Sequence, residues 1–133
     1  MQELTMVIMT WLVASAGLPA AEQLPRVELV SMATMSTIRQ DRLDVHASCH
    51  DLDRTIYLGD GWSATSPADV SVLVHELVHH LQNVAGLTYP CAQARERVAY
   101  EAQDRWLELL GRNLVDEFEL DPMTLLVRTR CMP

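Results

Sequence analysis

The sequence predicts an α+β fold, mainly helical with a small sheet, in a single domain spanning residues 1–133. Long stretches repeat apolar residues at three- and four-residue steps, which is the period of an α-helix. Two short runs bounded by turn residues have the composition of strands. The chain of 133 residues contains no repeat, low-complexity tract or linker. We therefore expect one core and one site.

The N-terminal apolar stretch from Leu4 to Ala21 is predicted to form a buried amphipathic helix that ends at Gly17. A signal peptide needs basic residues before its apolar run, but here Glu3 and no base precedes it. Polar residues, a glycine and a proline also interrupt the stretch, so we expect no stable membrane insertion. These features favour the cytoplasm, with export as the alternative.

Two short strands are predicted. The first is Arg26 to Val30, an alternating run that follows a proline. Residues 39–53 are polar and predict a loop. Thr55 to Leu58 forms the second strand, which ends at the Gly59-Asp60-Gly61 turn.

The clearest helix start in the chain is at Ser66. This residue is a candidate N-cap, Pro67 occupies the first helical position, and Asp69 lies where an acid suits the helix dipole. Apolar residues then recur at helical spacing until Gly86, a typical C-terminal stop. The apolar residues are Val70, Leu73, Val74, Leu77, Val78 and Leu81.

Two further helices follow. One runs from about Cys91 to Leu110 and ends at Gly111, and the last is a short helix with Asp121-Pro122 as its start and Arg128 at its end. Four residues of the longer helix recur along one face, namely Glu96, Ala99, Tyr100 and Gln103.

The charge pattern argues against a nucleic-acid partner. The formal net charge is −8 and all ten basic residues are arginine. An acidic, lysine-free surface offers little counter-charge to a phosphate backbone, and aromatic residues are too few to form a stacking platform for bases.

The cysteines leave the redox state open. Cys49, Cys91 and Cys131 are an odd number and form no CxxC pair. They allow one disulfide and one free thiol in an exported protein, or buried thiols in the cytosol.

The helix that begins at Ser66 carries an HExxH motif, from His75 to His79. Residues four apart lie one turn apart on the same helix face, so the two imidazoles can bind one metal ion together. Glu76 follows the first histidine directly and lies beside the metal without being a ligand. It is the candidate catalytic base for a metal-activated water.

A catalytic zinc site normally has three protein ligands and an open position. Glu96 lies on the next predicted helix, which can fold back antiparallel and return its carboxylate to the metal. The predicted metal ligands are therefore His75, His79 and Glu96, for one Zn²⁺ per chain. Glu101 is the rival third ligand, and iron, cobalt and manganese are not excluded as the metal.

These motifs resemble those of the zincin metallopeptidases, in particular the gluzincins, in which HExxH is followed by a downstream ExxA segment. Glu96-Arg97-Val98-Ala99 fits the second motif. The resemblance covers roughly residues 55–110. The chain is also similar to small bacterial domains of unknown function that carry a HELxHxxQ helix, here His75 to Gln82.

The resemblance implies a fold and a mechanism. A small alanine at position 99 leaves room for the two helices to pack closely, and the strand Thr55 to Leu58 takes the place of the edge on which an extended peptide lies. Many relatives have an aspartate after that alanine, whereas this chain has Tyr100. The implied activity is zinc-dependent hydrolysis of a peptide bond, with Glu76 as general base and a peptide or protein as substrate.

The donor that would stabilise the oxyanion is not identified by spacing. Tyr100, Tyr57 and His80 are candidates by residue type. We also expect His80 to lie at the surface or near the metal without binding it, because it points about 100° around the helix from His79. His46 and His50 form a second pair of histidines at helical spacing, without a helical context.

Three functions compete at this point. The first is a general metallopeptidase, the second is a regulatory protease specific for one partner protein, and the third is a non-catalytic, zinc-stabilised binding domain. A bare HExxH also arises by chance, in which case His75 and His79 would be surface residues of an ordinary amphipathic helix.

Overall fold

The computed structural model describes residues 1–38, 47–50 and 54–132. It confirms an α+β fold that is mainly helical. In chain order the elements are α1 (Gln2–Ala16), β1 (Arg26–Val30), α2 (Met32–Ile38), β2 (Ala47–His50), β3 (Thr55–Gly59), α3 (Pro67–Val84), α4 (Ala92–Glu108), α5 (Leu114–Glu117) and α6 (Pro122–Thr129).

The described strands form one sheet in the order β1-β3-β2. β1 runs parallel to β3, with Val27 opposite Ile56, and β2 runs antiparallel to β3, with Ser48 opposite Tyr57. The expectation of a loop throughout residues 39–53 was therefore wrong at 47–50. A second expectation was also wrong, since the strand from Thr55 to Leu58 is paired on both sides and offers no free edge.

The N-terminal helix packs as its sequence predicts. α1 ends at Gly17, which has a φ of 67° and forms the left-handed C-cap that glycine favours. Ile8 and Leu12 are fully buried in the core against the apolar side of α3. In the described ranges no helix is both long enough and apolar enough to cross a membrane.

The start of α3 is fixed by several hydrogen bonds. Ser66 caps the helix, since its hydroxyl accepts the Asp69 N–H at 3.2 Å, and Pro67 is the first helical residue. Asp69 in turn accepts the Ser63 N–H at 2.9 Å through its carboxylate, while the Trp62 indole donates to its backbone carbonyl at 2.6 Å. This capping fixes where the histidine-bearing turns begin.

The C-terminal part of the chain packs along α4. α5 was not predicted from the sequence, whereas α6 starts at Asp121 and Pro122 as expected. None of the α6 residues is buried, and a disulfide joins Cys131, just after this helix, to Cys91, the N-cap of α4. The bridge therefore tethers α6 to the start of the helix that carries Glu96.

Candidate metal centre

The two histidines of the HExxH motif lie together on α3. His75 and His79 have ring centroids 5.0 Å apart. Both side chains are largely enclosed, with 13% and 8% of their surface exposed. Their arrangement follows from the helix period, which places residues four apart on one face.

The third member of the cluster comes from α4. Oε2 of Glu96 lies 3.0 Å from Nε2 of His75 and 3.1 Å from Nε2 of His79. The ligand atoms of the three residues all lie within 4.8 Å of one another. His75, His79 and Glu96 can therefore hold a metal ion, and the antiparallel return of the second helix occurs as the sequence predicts.

Gln103 sets the orientation of His75. The Ser71 hydroxyl donates to the Ala68 carbonyl at 2.7 Å, so it must accept the Gln103 amide N–H at 3.2 Å. The amide oxygen of Gln103 then faces Nδ1 of His75 at 2.9 Å and can only accept. Nδ1 of His75 consequently carries the proton, and Nε2 keeps its lone pair for a metal.

Gln82 sets the orientation of His79. Its amide oxygen accepts the Arg95 Nε–H at 3.1 Å, which identifies this atom as the oxygen. The same oxygen lies 2.8 Å from Nδ1 of His79, so this nitrogen is also the protonated one. The Gln82 amide nitrogen donates to the Tyr89 hydroxyl and to the Arg95 carbonyl, each at 3.1 Å.

Two imidazole lone pairs and a carboxylate oxygen thus converge on one point. Three acceptors so placed repel one another unless a proton or a metal ion lies between them. Donor atoms around a tetrahedral zinc with bonds of about 2.0 Å lie about 3.3 Å apart. The 3.0 and 3.1 Å separations from Glu96 are close to that value. The donor set and its spacing therefore fit a tetrahedral cation.

The pKa values of Glu96 and His79 shift in opposite directions. Burial opposes ionisation of Glu96, but hydrogen bonds from His75 and His79 outweigh it and hold the pKa of this carboxyl far below its usual range. Burial also lowers the pKa of His79, yet the hydrogen bond to Glu96 and the charge of Glu76 raise it overall. In the metal-free protein, the raised pKa of His79 favours a proton on its Nε2, between this nitrogen and the Glu96 carboxylate.

Glu76 is buried, with 4% of its surface exposed, and its charge acts on His79. It is not one of the three clustered ligand residues. A carboxylate enclosed beside the metal-binding atoms is the kind of group that can accept a proton there.

The residues after Glu96 also face the centre. Ala99 is fully buried, as expected for a small residue between packed helices. The ring of Tyr100 meets the ring of His75 edge to face, with centroids 4.7 Å apart, and its hydroxyl accepts a hydrogen bond from Arg128 of α6 at 3.3 Å. Tyr100 therefore lies beside His75, one of the three residues that could hold a metal ion.

The other residues considered as metal ligands or as neighbours of the metal do not belong to the three-residue cluster. Glu101 is exposed and pairs with Arg97 at 2.9 Å on the outer side of α4, so it is not part of the cluster. His80 is only 2% exposed, which corrects the expectation of a surface position. Burial lowers the pKa of His80, and its neighbours are Gln23 and Arg54. His46 lies outside the described residues, as does the side chain of His50.

Sequence reasoning assigned no role to the two glutamines. Gln103 belongs to the same helix face as Glu96, and Gln82 ends the HELxHxxQ segment, so both lay within recognised patterns. The helix period could have indicated Gln103 as a partner for His75. The role of Gln82 depends on Arg95, which reaches it from α4, and that contact has no sequence signal.

Comparison with known proteins places the chain in a family. A family model described as a domain of unknown function (DUF6647) matches residues 1–133, and the chain belongs to this family. No curated protein and no solved structure matches it.

Proposed function

We propose that the chain is a zinc-dependent peptidase of the zincin type. The observation that carries the proposal is the convergence of His75, His79 and Glu96, with the Nε2 lone pairs of both histidines turned toward Oε2 of Glu96. Two histidines and one carboxylate are the ligand set of several zinc hydrolases, which keep a fourth position for water or substrate. When bound, zinc would polarise the scissile carbonyl and acidify water.

The chain's own residues supply the remaining steps. Glu76 takes the proton of the attacking water and passes it to the leaving amine, so that it serves as base and then as acid. The buried setting of Glu76 supports this role, since a proton acceptor works best where bulk water does not compete. Gln82 and Gln103 keep the imidazoles in the tautomer that leaves Nε2 for the metal.

Tyr100 is the best placed of the three candidate oxyanion donors. Its ring contacts His75, whereas His80 is buried toward Gln23 and Arg54. Tyr57 lies on the central strand β3. We assign the role of oxyanion donor to Tyr100.

An extended peptide substrate would add to the sheet at β2. This strand pairs only with β3 among the described strands, and it lies on the antiparallel edge beside α3. A free strand edge offers backbone donors and acceptors to a peptide in extended conformation. The zincin resemblance implied that the strand Thr55 to Leu58 binds the peptide. We instead assign peptide binding to β2, the strand beside it.

Glu76→Gln tests the catalytic part of the proposal. The variant should bind zinc as the wild type does and cleave no member of a peptide library analysed by mass spectrometry, because an amide cannot accept the proton. Glu101→Gln, which changes an exposed glutamate, should cleave like the wild type. Equal cleavage by Glu76→Gln and wild type would contradict the assigned base. Cleavage of one native partner alone would instead indicate a regulatory protease.

A zinc-stabilised binding domain is the second candidate. The three candidate ligands are only 8–19% exposed and come from two packed helices, so a bound ion would also stabilise the fold. This candidate predicts that chelation lowers stability, that no peptide is cleaved, and that Glu76→Gln leaves partner binding unchanged.

A further inference from the structure

A cavity of about 480 Å³ lies at the end of the α3–α4 hairpin, behind the metal centre. Its size is in the range of small-molecule sites. Arg54, Arg95 and Tyr89 line it together with Gln82 and Asn83. None of its lining residues, all in the described part of the chain, is acidic. Both charged residues of the lining are arginines, in a chain with 18 acidic and 10 basic residues.

Arg95 and Tyr89 offer hydrogen-bond donors to the cavity. Arg95 uses Nε on Gln82 and Nη2 on Asn83 and on the His79 carbonyl, while Nη1 meets no acceptor among the described residues. The Tyr89 oxygen accepts a hydrogen bond from Gln82, which leaves the tyrosine proton to be donated elsewhere. Both groups border the cavity.

Arg54 adds a second positive charge at the cavity. It is exposed and forms no ion pair with a described residue. Its φ of 54° is a left-handed conformation that non-glycine residues seldom adopt and that often marks functional positions. Residues Cys91 and Ala92, at the N-terminus of α4, also border the cavity, and this helix end attracts negative charge.

We propose that this cavity is an anion-binding site that takes the oxyanion of a carboxylate or a phosphate group. Guanidinium groups and a phenol hydroxyl suit such ligands, because they donate hydrogen bonds. The planar oxygens of a carboxylate and the tetrahedral oxygens of a phosphate accept them. The site is separate from the metal ligands, although Gln82 and Arg95 belong to the walls of both. The proposal does not depend on peptidase activity.

The test is isothermal titration calorimetry of the zinc-loaded protein at low ionic strength, which measures the dissociation constant. Succinate and inorganic phosphate are titrated in separate experiments. We expect saturable binding of at least one of them, and the anion that binds identifies the ligand class. Arg54→Ala should weaken this binding about tenfold or more, since it removes a charged donor, and Arg54→Lys should retain most of it. Arg26→Ala, which changes an exposed arginine on β1, should bind like the wild type.

Tyr89→Phe provides a second variant that removes only one hydroxyl, and it should also weaken binding. Absence of binding by either anion, or equal binding by wild type and Arg54→Ala, would overturn the proposal. An anion held by zinc would be unaffected by Arg54→Ala. Failure of the cavity site is therefore distinguishable from failure of the metal centre.

Discussion

Each histidine of the centre is oriented by a glutamine whose own orientation is fixed by further contacts. Gln103 is held by Ser71, and Gln82 by Arg95. Partners of this kind orient metal-binding imidazoles and commonly change metal affinity by about 10- to 100-fold when removed. The candidate metal centre therefore includes these two glutamines as well as the three residues that could hold the ion.

Gln103→Leu should weaken zinc binding by about tenfold or more, because the Nδ1 proton of His75 loses its acceptor and the ring is no longer fixed. Competition with a chromogenic chelator measures the dissociation constant. Gln93→Leu is the matched control on the same helix and should bind zinc like the wild type. Equal affinities of Gln103→Leu and Gln93→Leu would refute the orienting role.

The pKa shifts predict how the stability of the metal-free protein depends on pH. The raised pKa of His79 adds stability that is fully present below about 6.5 and is lost as the pH rises through the folded-state pKa. The lowered pKa of Glu96 adds stability that is present above about 4.5 and is lost as the pH falls. The contact between His79 and Glu96 contributes to both shifts, so it should stabilise the metal-free protein most between these two pH values.

Urea unfolding in excess chelator checks this window. Burial lowers the pKa of His80, which gives the opposite dependence on pH, so wild type and Glu96→Gln are compared at each pH. The loss of unfolding free energy caused by Glu96→Gln should be larger at about pH 5.5 than at about pH 8. With zinc in place of chelator the order should reverse, because the metal replaces the shared proton and needs deprotonated ligands. An equal loss at the two pH values in the metal-free protein would contradict a proton shared by His79 and Glu96.

The clustering of His75, His79 and Glu96 was predictable because their positions follow from local periodicity. His75 and His79 are one turn apart, and Glu96 sits one helix later in a recognisable ExxA segment. The burial of His80 was not predictable, because the helix wheel gives its direction but not what packs there. Its neighbours come from the α1–β1 connection and from Arg54, far away in sequence.

At the level of elements, the helices with caps and strong periodicity were predicted and the short or weakly marked ones were not. α3 begins at its Ser66 cap, and α1 ends at Gly17. β2 was missed because only four residues pair with β3, and pairing between strands leaves little trace in a polar segment. The order of the sheet, which makes β3 central, likewise depends on long-range contacts.

The C-terminal helix α6 depends on the disulfide. It has eight residues and none is buried, so it is too short to be stable alone. The Cys91–Cys131 bridge spans 40 residues, for which the loop-entropy model gives a stabilisation of about 4 kcal/mol. Such a bridge persists in oxidising compartments.

Serine substitutions test the disulfide. Cys91→Ser and Cys131→Ser should each lower the free energy of unfolding by about 2 to 4 kcal/mol in chelator-free buffer, and the double variant should lose no more than either single one. Serine is itself a good N-cap, so the start of α4 is preserved at position 91. Additive losses in the double variant would show that the two cysteines act independently.

At the scale of the whole molecule, a bound metal ion would join α3 to α4. These two helices carry the three candidate ligands and also the glutamines that orient the histidines. The apolar side of α3 packs into the core, with Leu73, Leu77 and Val78 fully buried. The same helix presents His75 and His79 to α4. Core packing therefore holds the ligands in place before any metal binds, which is the condition for a preorganised centre.

The most direct test of this account is the metal content per chain, by elemental mass spectrometry, of protein purified without added metal. Wild type and Glu101→Ala should each carry about one zinc, and Glu96→Ala should carry little or none, because of these two glutamates Glu96 is the one that contacts the histidines. Each variant removes one glutamate from α4, so the two variants differ only in the position of the lost carboxylate. Retention of zinc by Glu96→Ala, or absence of metal from the wild type, would contradict the proposed centre.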